Sequence, residues 1–194
     1  MHRREALGRL AATAAAVPVL AALRPDELFG LGGRVHERIA QGQAYAPIAL
    51  GPHQFQTVTE VSELILPETD TPGATSAGVN RFIDLIVDEW FDDAERASFL
   101  AGLADLDARS RTAFGGDFIE GSGEQQTALL AQLDAEMAAL RASEPERAET
   151  LFFHRVKWLT LFGYYTSEPG ATQELNWVAM PGAYRGCEPI VARP

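Results

Sequence analysis

Apolar side chains recur at intervals of three and four residues through most of the chain after position 52, which is the period of an amphipathic helix. The runs are separated by residues that end helices, among them Pro67 and the pair Gly115-Gly116. Capping-box patterns at Ser122 and Ser143 begin the last two runs. The pattern predicts five helices, over about 55–65, 79–91, 94–114, 123–141 and 146–165.

The last predicted helix is rich in aromatic residues. Five apolar residues are expected on its buried face: Leu151, Phe152, Val156, Leu159 and Phe162. No segment alternates polar and apolar residues over the length of a strand. We therefore predict an all-α fold, a small bundle of about five helices with an extended, irregular C-terminal arm.

Composition divides the chain into four parts. Residues 1–23 are interpreted as a leader, 24–52 as an irregular linker, 53–165 as the helical bundle and 166–194 as the arm. The arm contains Trp177, Tyr184 and the only cysteine, Cys187. Nothing in its own pattern would bury these side chains, so they need either the bundle or another protein to pack against.

The leader joins a basic start to an uncharged, alanine-rich stretch from Leu10 to Leu23. This arrangement is typical of an export signal, and it is short for a membrane span, which needs about 20 apolar residues. Arg3 and Arg4 make the leader resemble a twin-arginine (Tat) signal, which predicts export to the periplasm. A Sec signal and an uncleaved anchor are the alternatives.

The net charge argues against one class of function, and the cysteine content limits the possible disulfides. The 194-residue chain has a net charge of −11, which argues against nucleic-acid binding because phosphate neutralisation needs clustered lysine and arginine. A single cysteine cannot form an internal disulfide. In an exported protein such a cysteine indicates either a bond to another chain or a free thiol.

The residues give little sign of an active site, so none is predicted to be catalytic, to bind a cofactor or to ligate a metal. The four histidines lie at no metal-binding spacing: His2, His36, His53 and His154. His154 is interpreted as structural, and the chain lacks a GxGxxG or CxxCH motif. Asp84 and Asp88 lie one helical turn apart and could serve acid–base chemistry or bind a cation, although a solvated helix face is the favoured interpretation.

Two separated stretches carry a family resemblance. The first, Leu64–Asp84, includes the sequence DTPGATSAGV, a turn at Pro72-Gly73 between two helices, with Ser76 as the expected cap of the second. The second is Gly163–Pro189, with GYYTSEPGATQEL at its start. Together they resemble the gluconate 2-dehydrogenase subunit 3 family, from which Pro169 departs at a position where an aliphatic residue is common.

The resemblance implies a non-catalytic small subunit of a periplasmic sugar or sugar-acid dehydrogenase. In such a complex FAD belongs to the large flavoprotein subunit, and a multihaem cytochrome c subunit often completes the electron path. The small subunit would assist maturation of the large one, provide its Tat signal and remain bound to it. Two alternatives stay open: a transient export chaperone, and a stand-alone periplasmic enzyme using Asp84 and Asp88.

On this interpretation the arm binds the partner. Trp177, Tyr184 and Cys187 are expected to contact the large subunit, because aromatic residues are common interface anchors, and Cys187 could form a disulfide with it. Tyr164 and Tyr165 are expected mainly to close the bundle. The alternative is that the whole arm folds back over its own helices.

Overall fold

The computed structural model of the protein describes residues 45–178 and residue 182. This part of the chain contains no strand and six α-helices, five of which are longer than ten residues. The helices are α1 Pro52–Ile65, α2 Val79–Glu89, α3 Asp93–Phe114, α4 Gly123–Ser143, α5 Pro145–Glu149 and α6 Phe152–Thr166. A 3₁₀ turn, Phe118–Glu120, precedes α4, and a π-helical turn, Gly170–Glu174, follows α6. The all-α prediction is confirmed here.

The middle helices begin and end as their sequences predict. At the start of α4 the Ser122 hydroxyl accepts a hydrogen bond from the Gln125 amide at 3.3 Å, and the Gln125 side chain accepts one from the Ser122 amide at 2.9 Å. Helix α3 ends at Gly115, whose φ of 90° lies in the left-handed region that favours glycine. These caps satisfy backbone groups that would otherwise lack partners.

The predicted fifth helix is in fact two helices, α5 and α6. Ser143 does not cap it, because it is the last residue of α4 and its hydroxyl donates back to the Ala139 and Leu140 carbonyls. The chain then makes the short helix α5, and α6 begins after Leu151. The capping-box interpretation of Ser143 is therefore wrong.

The predicted cap of α2 is also wrong. Ser76 is exposed in the turn before the helix, and the cap position is occupied by Gly78, with φ of 74° and no side-chain hydrogen bond. The Val79 amide instead donates to the Ala74 carbonyl at 3.0 Å. A left-handed glycine directs the chain into α2 without help from a hydroxyl.

Helix α6 lies at the centre of the bundle and packs against α1, α2, α3 and α4. The core around it is apolar, and its fully buried side chains include Val58, Val61, Ile83, Val87, Phe99 and Val156. Each such side chain contributes roughly 1.5–3 kcal/mol by leaving water. Among the described residues no helix has both the length and the apolar character that crossing a membrane requires.

Candidate partner interface

The corner between α1 and α2 is organised by one side chain of α1. The Glu63 carboxylate accepts hydrogen bonds from the backbone amides of Glu68, at 3.0 Å, and Thr75, at 2.9 Å. Gly73 lies against this carboxylate, so closely that a β-carbon there would come within 2.3 Å of it. The corner is therefore held from inside by Glu63, and Gly73 leaves room for it.

The corner and the start of the arm, far apart in sequence, are bonded to each other. The Tyr164 hydroxyl donates to the Pro72 carbonyl at 2.8 Å, and the Thr71 hydroxyl donates to the Glu174 carboxylate at 3.1 Å. Tyr164 is buried. The two stretches on which the family resemblance rests thus form one continuous piece of structure.

The arm leaves the bundle through the π-helical turn. A β-carbon at Gly170 would lie 1.9 Å from the Tyr164 carbonyl oxygen, so the turn needs glycine to pass this close to α6. Past the turn, the Trp177 amide donates to the Ala171 carbonyl at 2.8 Å, while the Trp177 side chain is 61% exposed. Leu175 and Val178 on either side are also exposed.

The sequence-predicted interface residues are only partly described. The Trp177 side chain is exposed to solvent. Its contact with the large subunit stays a prediction. Tyr184, Cys187, Arg3 and Arg4 lie outside the described residues. Of the two tyrosines expected to close the bundle, Tyr164 does so and Tyr165 is 38% exposed.

Sequence reasoning missed a second exposed surface, the aromatic face of α6, formed by Trp158, Phe162 and Tyr165. Trp158 is 53% exposed and Phe162 46% exposed, and their rings stack with centroids 5.0 Å apart and planes 10° from parallel. Phe162 was predicted to be buried and is not, although its ring centroid lies 6.0 Å from the centroid of the Phe82 ring. The spacing of four and three residues between these aromatics was a signal that could have identified one helix face.

A cleft of about 550 Å³ begins beside Trp158. We call it the arginine cleft, and its lining comes from α3, α4, α5, α6 and the α2–α3 connection: Phe91, Glu95, Arg141, Glu149, His154, Arg155, Trp158 and Leu159. Arg155 lies over the Phe91 ring, with its guanidinium carbon 5.7 Å from the ring centroid. Polar donors and an exposed indole therefore meet at one place on the surface.

Asp84 has a structural role that the sequence pattern did not reveal. It is fully buried, and its carboxylate accepts hydrogen bonds from the amides of Ile48, Ala49 and Leu50 at 2.8, 3.1 and 2.9 Å. A solvated helix face is therefore the wrong interpretation for Asp84. Asp88, one turn later, is only half-buried, so the two do not form an open pair for acid–base chemistry.

One cluster brings potential metal ligands together. His53, Asp107 and Asp117 each offer an atom within 4.8 Å of the others. The His53 ring bonds one Asp107 oxygen at 2.7 Å, and the other Asp107 oxygen accepts from the Phe118 amide at 3.0 Å. Asp117 is hydrogen-bonded to Arg111, which raises the pKa of that guanidinium. These contacts tie α1, α3 and the 3₁₀ turn together, and we assign no metal to them.

One of three comparisons with known proteins gives a match. The sequence model of a protein family, described as Gluconate 2-dehydrogenase subunit 3, matches residues 52–182. This match covers the whole described bundle and the start of the arm. Neither curated proteins nor solved structures gave a significant match.

Proposed function

Since the chain belongs to the gluconate 2-dehydrogenase subunit 3 family, we propose that it is the non-catalytic small subunit of a periplasmic, FAD-dependent sugar or sugar-acid dehydrogenase. The family match carries this proposal, because it covers most of the chain. The partner is a large flavoprotein that holds the FAD and performs the oxidation. A cytochrome c subunit would receive the electrons.

The surface of the bundle supports a binding role. Large contiguous apolar patches on a protein surface often mark interaction sites, and tryptophan, tyrosine and arginine are enriched among the residues that dominate interface energies. The aromatic face of α6 has two of these residue types, and Trp177 on the arm is exposed as well. We propose that this face and the arm together bind the large subunit, with Tyr184 and Cys187 adding contacts and Cys187 forming a disulfide with it.

The small subunit would act before and after export. Tat export moves folded proteins, so FAD must be inserted into the large subunit before the pair crosses the membrane. In this proposal the chain holds the large subunit in a state that accepts FAD, and its Arg3-Arg4 leader takes both chains to the periplasm. It then stays in the mature complex.

A deletion and complementation experiment tests these roles. Cells lacking the chain should contain the large subunit in the cytoplasm and little flavin-loaded enzyme in the periplasm, measured by immunoblot and FAD fluorescence of each fraction. The wild-type gene should restore periplasmic enzyme, and an Arg3→Lys/Arg4→Lys variant should not. Normal periplasmic flavoprotein in the deletion strain would contradict the proposal.

A further inference from the structure

The arm leaves the bundle with its backbone held and its apolar side chains exposed. Leu175, Trp177 and Val178 are 57%, 61% and 63% exposed, which makes them the three most exposed large apolar side chains of the described residues. We call these three side chains the arm anchor. Their backbone is nevertheless bonded, because the Leu175 amide donates to the Gly170 carbonyl at 3.0 Å and the Trp177 amide to the Ala171 carbonyl at 2.8 Å. The anchor is therefore fixed in position although each of its side chains is more than half exposed.

One left-handed residue sets the course of the arm after the π-helical turn. Asn176, between two residues of the anchor, has φ of 51°, and it is the only described residue other than glycine in the left-handed region. Asparagine tolerates this conformation better than most residues, whereas a β-branched residue is strongly disfavoured there. Its place directly after the C-cap, Leu175, is the usual one for a left-handed residue at the end of a helix. The shape of the anchor thus depends on the backbone of Asn176.

The corner between α1 and α2 also holds this part of the arm. The Thr71 hydroxyl donates to the Glu174 carboxylate at 3.1 Å, directly before the anchor. The Tyr164 hydroxyl oxygen lies 3.4 Å from the Thr71 hydroxyl oxygen and donates to the Pro72 carbonyl at 2.8 Å. Because Thr71 and Glu174 are 103 positions apart in the chain, their hydrogen bond fixes the start of the arm relative to the bundle.

We propose that the arm anchor is a preformed element that enters an apolar groove of the flavoprotein large subunit, and that Thr71, Glu174 and Asn176 are its positioning residues. This inference rests on the proposed function, because the groove belongs to the dehydrogenase partner. A segment that is already ordered loses less conformational entropy when it binds, which raises the affinity without any additional contact.

The composition of the arm and the family match support this partner. Residues 175–184 include no charged side chain, in a chain whose net charge is −11. Such a segment is recognised by apolar contact rather than by ion pairs, and the core of a protein interface is depleted in charged residues. The family match extends to residue 182 and so includes the anchor, and the family is described as a subunit of a dehydrogenase. A dehydrogenase chain is therefore the partner that this description supports.

Binding of full-chain variants to the purified flavoprotein large subunit tests the anchor and its positioning separately. Trp177→Ala should weaken the affinity at least about tenfold through the lost contact. Asn176→Val should also weaken it about tenfold, mainly by slower association, because a smaller fraction of the free chains has the binding conformation. Asn176→Gly is the matched control, since glycine adopts the left-handed conformation readily. Its affinity should stay within about threefold of the wild type.

Two further measurements separate a positioning role from a structural one. Thr71→Val removes the donor to Glu174 and should weaken binding about threefold or more, whereas Thr112→Val, at an exposed position on α3, should bind normally. In the free chain the Trp177 amide should exchange its hydrogen slowly, and faster in Asn176→Val and Thr71→Val. Asn176→Val should leave the melting temperature unchanged, because Asn176 is exposed and lies outside the core.

Several outcomes would overturn the inference. Wild-type affinity in Asn176→Val, or equal losses in both Asn176 variants, would contradict the positioning role. Wild-type affinity in Trp177→Ala would assign the anchor to another occupant, either a second copy or the chain's own last residues. A rapidly exchanging Trp177 amide in the free wild type would contradict the preformed shape even if the chain binds the flavoprotein. If the wild type does not bind the flavoprotein at all, the proposed function fails and this inference falls with it.

Discussion

Two single residues show how closely the elements of this bundle approach each other. Gly163 in α6 faces Phe82 in α2, and a β-carbon at position 163 would lie 2.6 Å from that ring. Asp84, also in α2, holds the segment before α1 by three backbone hydrogen bonds. Neither role could be predicted from the sequence, because both depend on which residues the fold places next to each other.

Gly163→Ala should therefore destabilise the protein by about 1–3 kcal/mol, the usual cost of overpacking a core. Gly123→Ala is the control, because nothing lies within 4 Å of the added β-carbon at the start of α4. It should be neutral or slightly stabilising, since alanine is the better helix former. Urea unfolding of both variants gives the free energies, and equal stabilities would contradict the close approach.

Asp84→Ala should cost about 3 kcal/mol or more, because it leaves three amides without their acceptor in a buried place. Asp88→Ala, one turn along the same helix and half-buried, should change the free energy of unfolding by no more than about 0.5 kcal/mol. The comparison uses thermal or urea unfolding of the full chain. A stable Asp84→Ala protein would support the alternative that this carboxylate is kept for chemistry.

At the scale of elements, the periodicity predicted the helices well and their termini unevenly. The Ser122 cap and the Gly115 stop were predictable because those signals are local. The break between α5 and α6 was not, since Ser143 serves α4 rather than the next helix. The exposure of Phe162 also escaped prediction, because an apolar residue at a helical spacing is normally a core residue and only the packing shows otherwise.

Two hydrogen bonds connect the corner to α6 and the start of the arm, and one of them is donated by the Tyr164 hydroxyl. Tyr164→Phe should lower the free energy of unfolding by about 0.5–1.5 kcal/mol through loss of the hydrogen bond to the Pro72 carbonyl. Hydrogen exchange should also become faster in the corner and in the π-helical turn. Tyr165→Phe, at an exposed position, is the control, and equal effects of the two variants would mean that Tyr164 does not join the two segments.

The aromatic face of α6 should matter for binding more than for folding. Trp158→Ala/Phe162→Ala should lose at least about tenfold in affinity for the flavoprotein, while losing the ring stack costs about 0.5–1.5 kcal/mol of stability. Phe114→Ala changes an exposed aromatic at the end of α3 and should bind normally. Unimpaired binding by the α6 variant would remove this face from the interface.

For the whole molecule, the fold class and the family could be predicted from the sequence, and the binding surface only in part. The family follows from two stretches of specific residues, which the structure shows to be in contact. Trp177 was identified as a candidate because the arm offers it nothing to pack on. The arginine cleft was not identified, because its lining comes from five parts of the chain and no spacing connects them.

The central claim is that the chain is a standing subunit of a flavin-containing complex. The most direct measurement is a tagged purification from the native periplasm, analysed by a visible spectrum and a non-reducing gel. We predict flavin absorbance, a large co-purifying chain in a fixed ratio, and a gel band of the two chains linked by a Cys187 disulfide. Reductant should separate that band into the two chains. A flavin-containing complex without the disulfide-linked band would contradict only the proposed disulfide. A colourless single chain would contradict the claim and leave the transient chaperone or the independent enzyme.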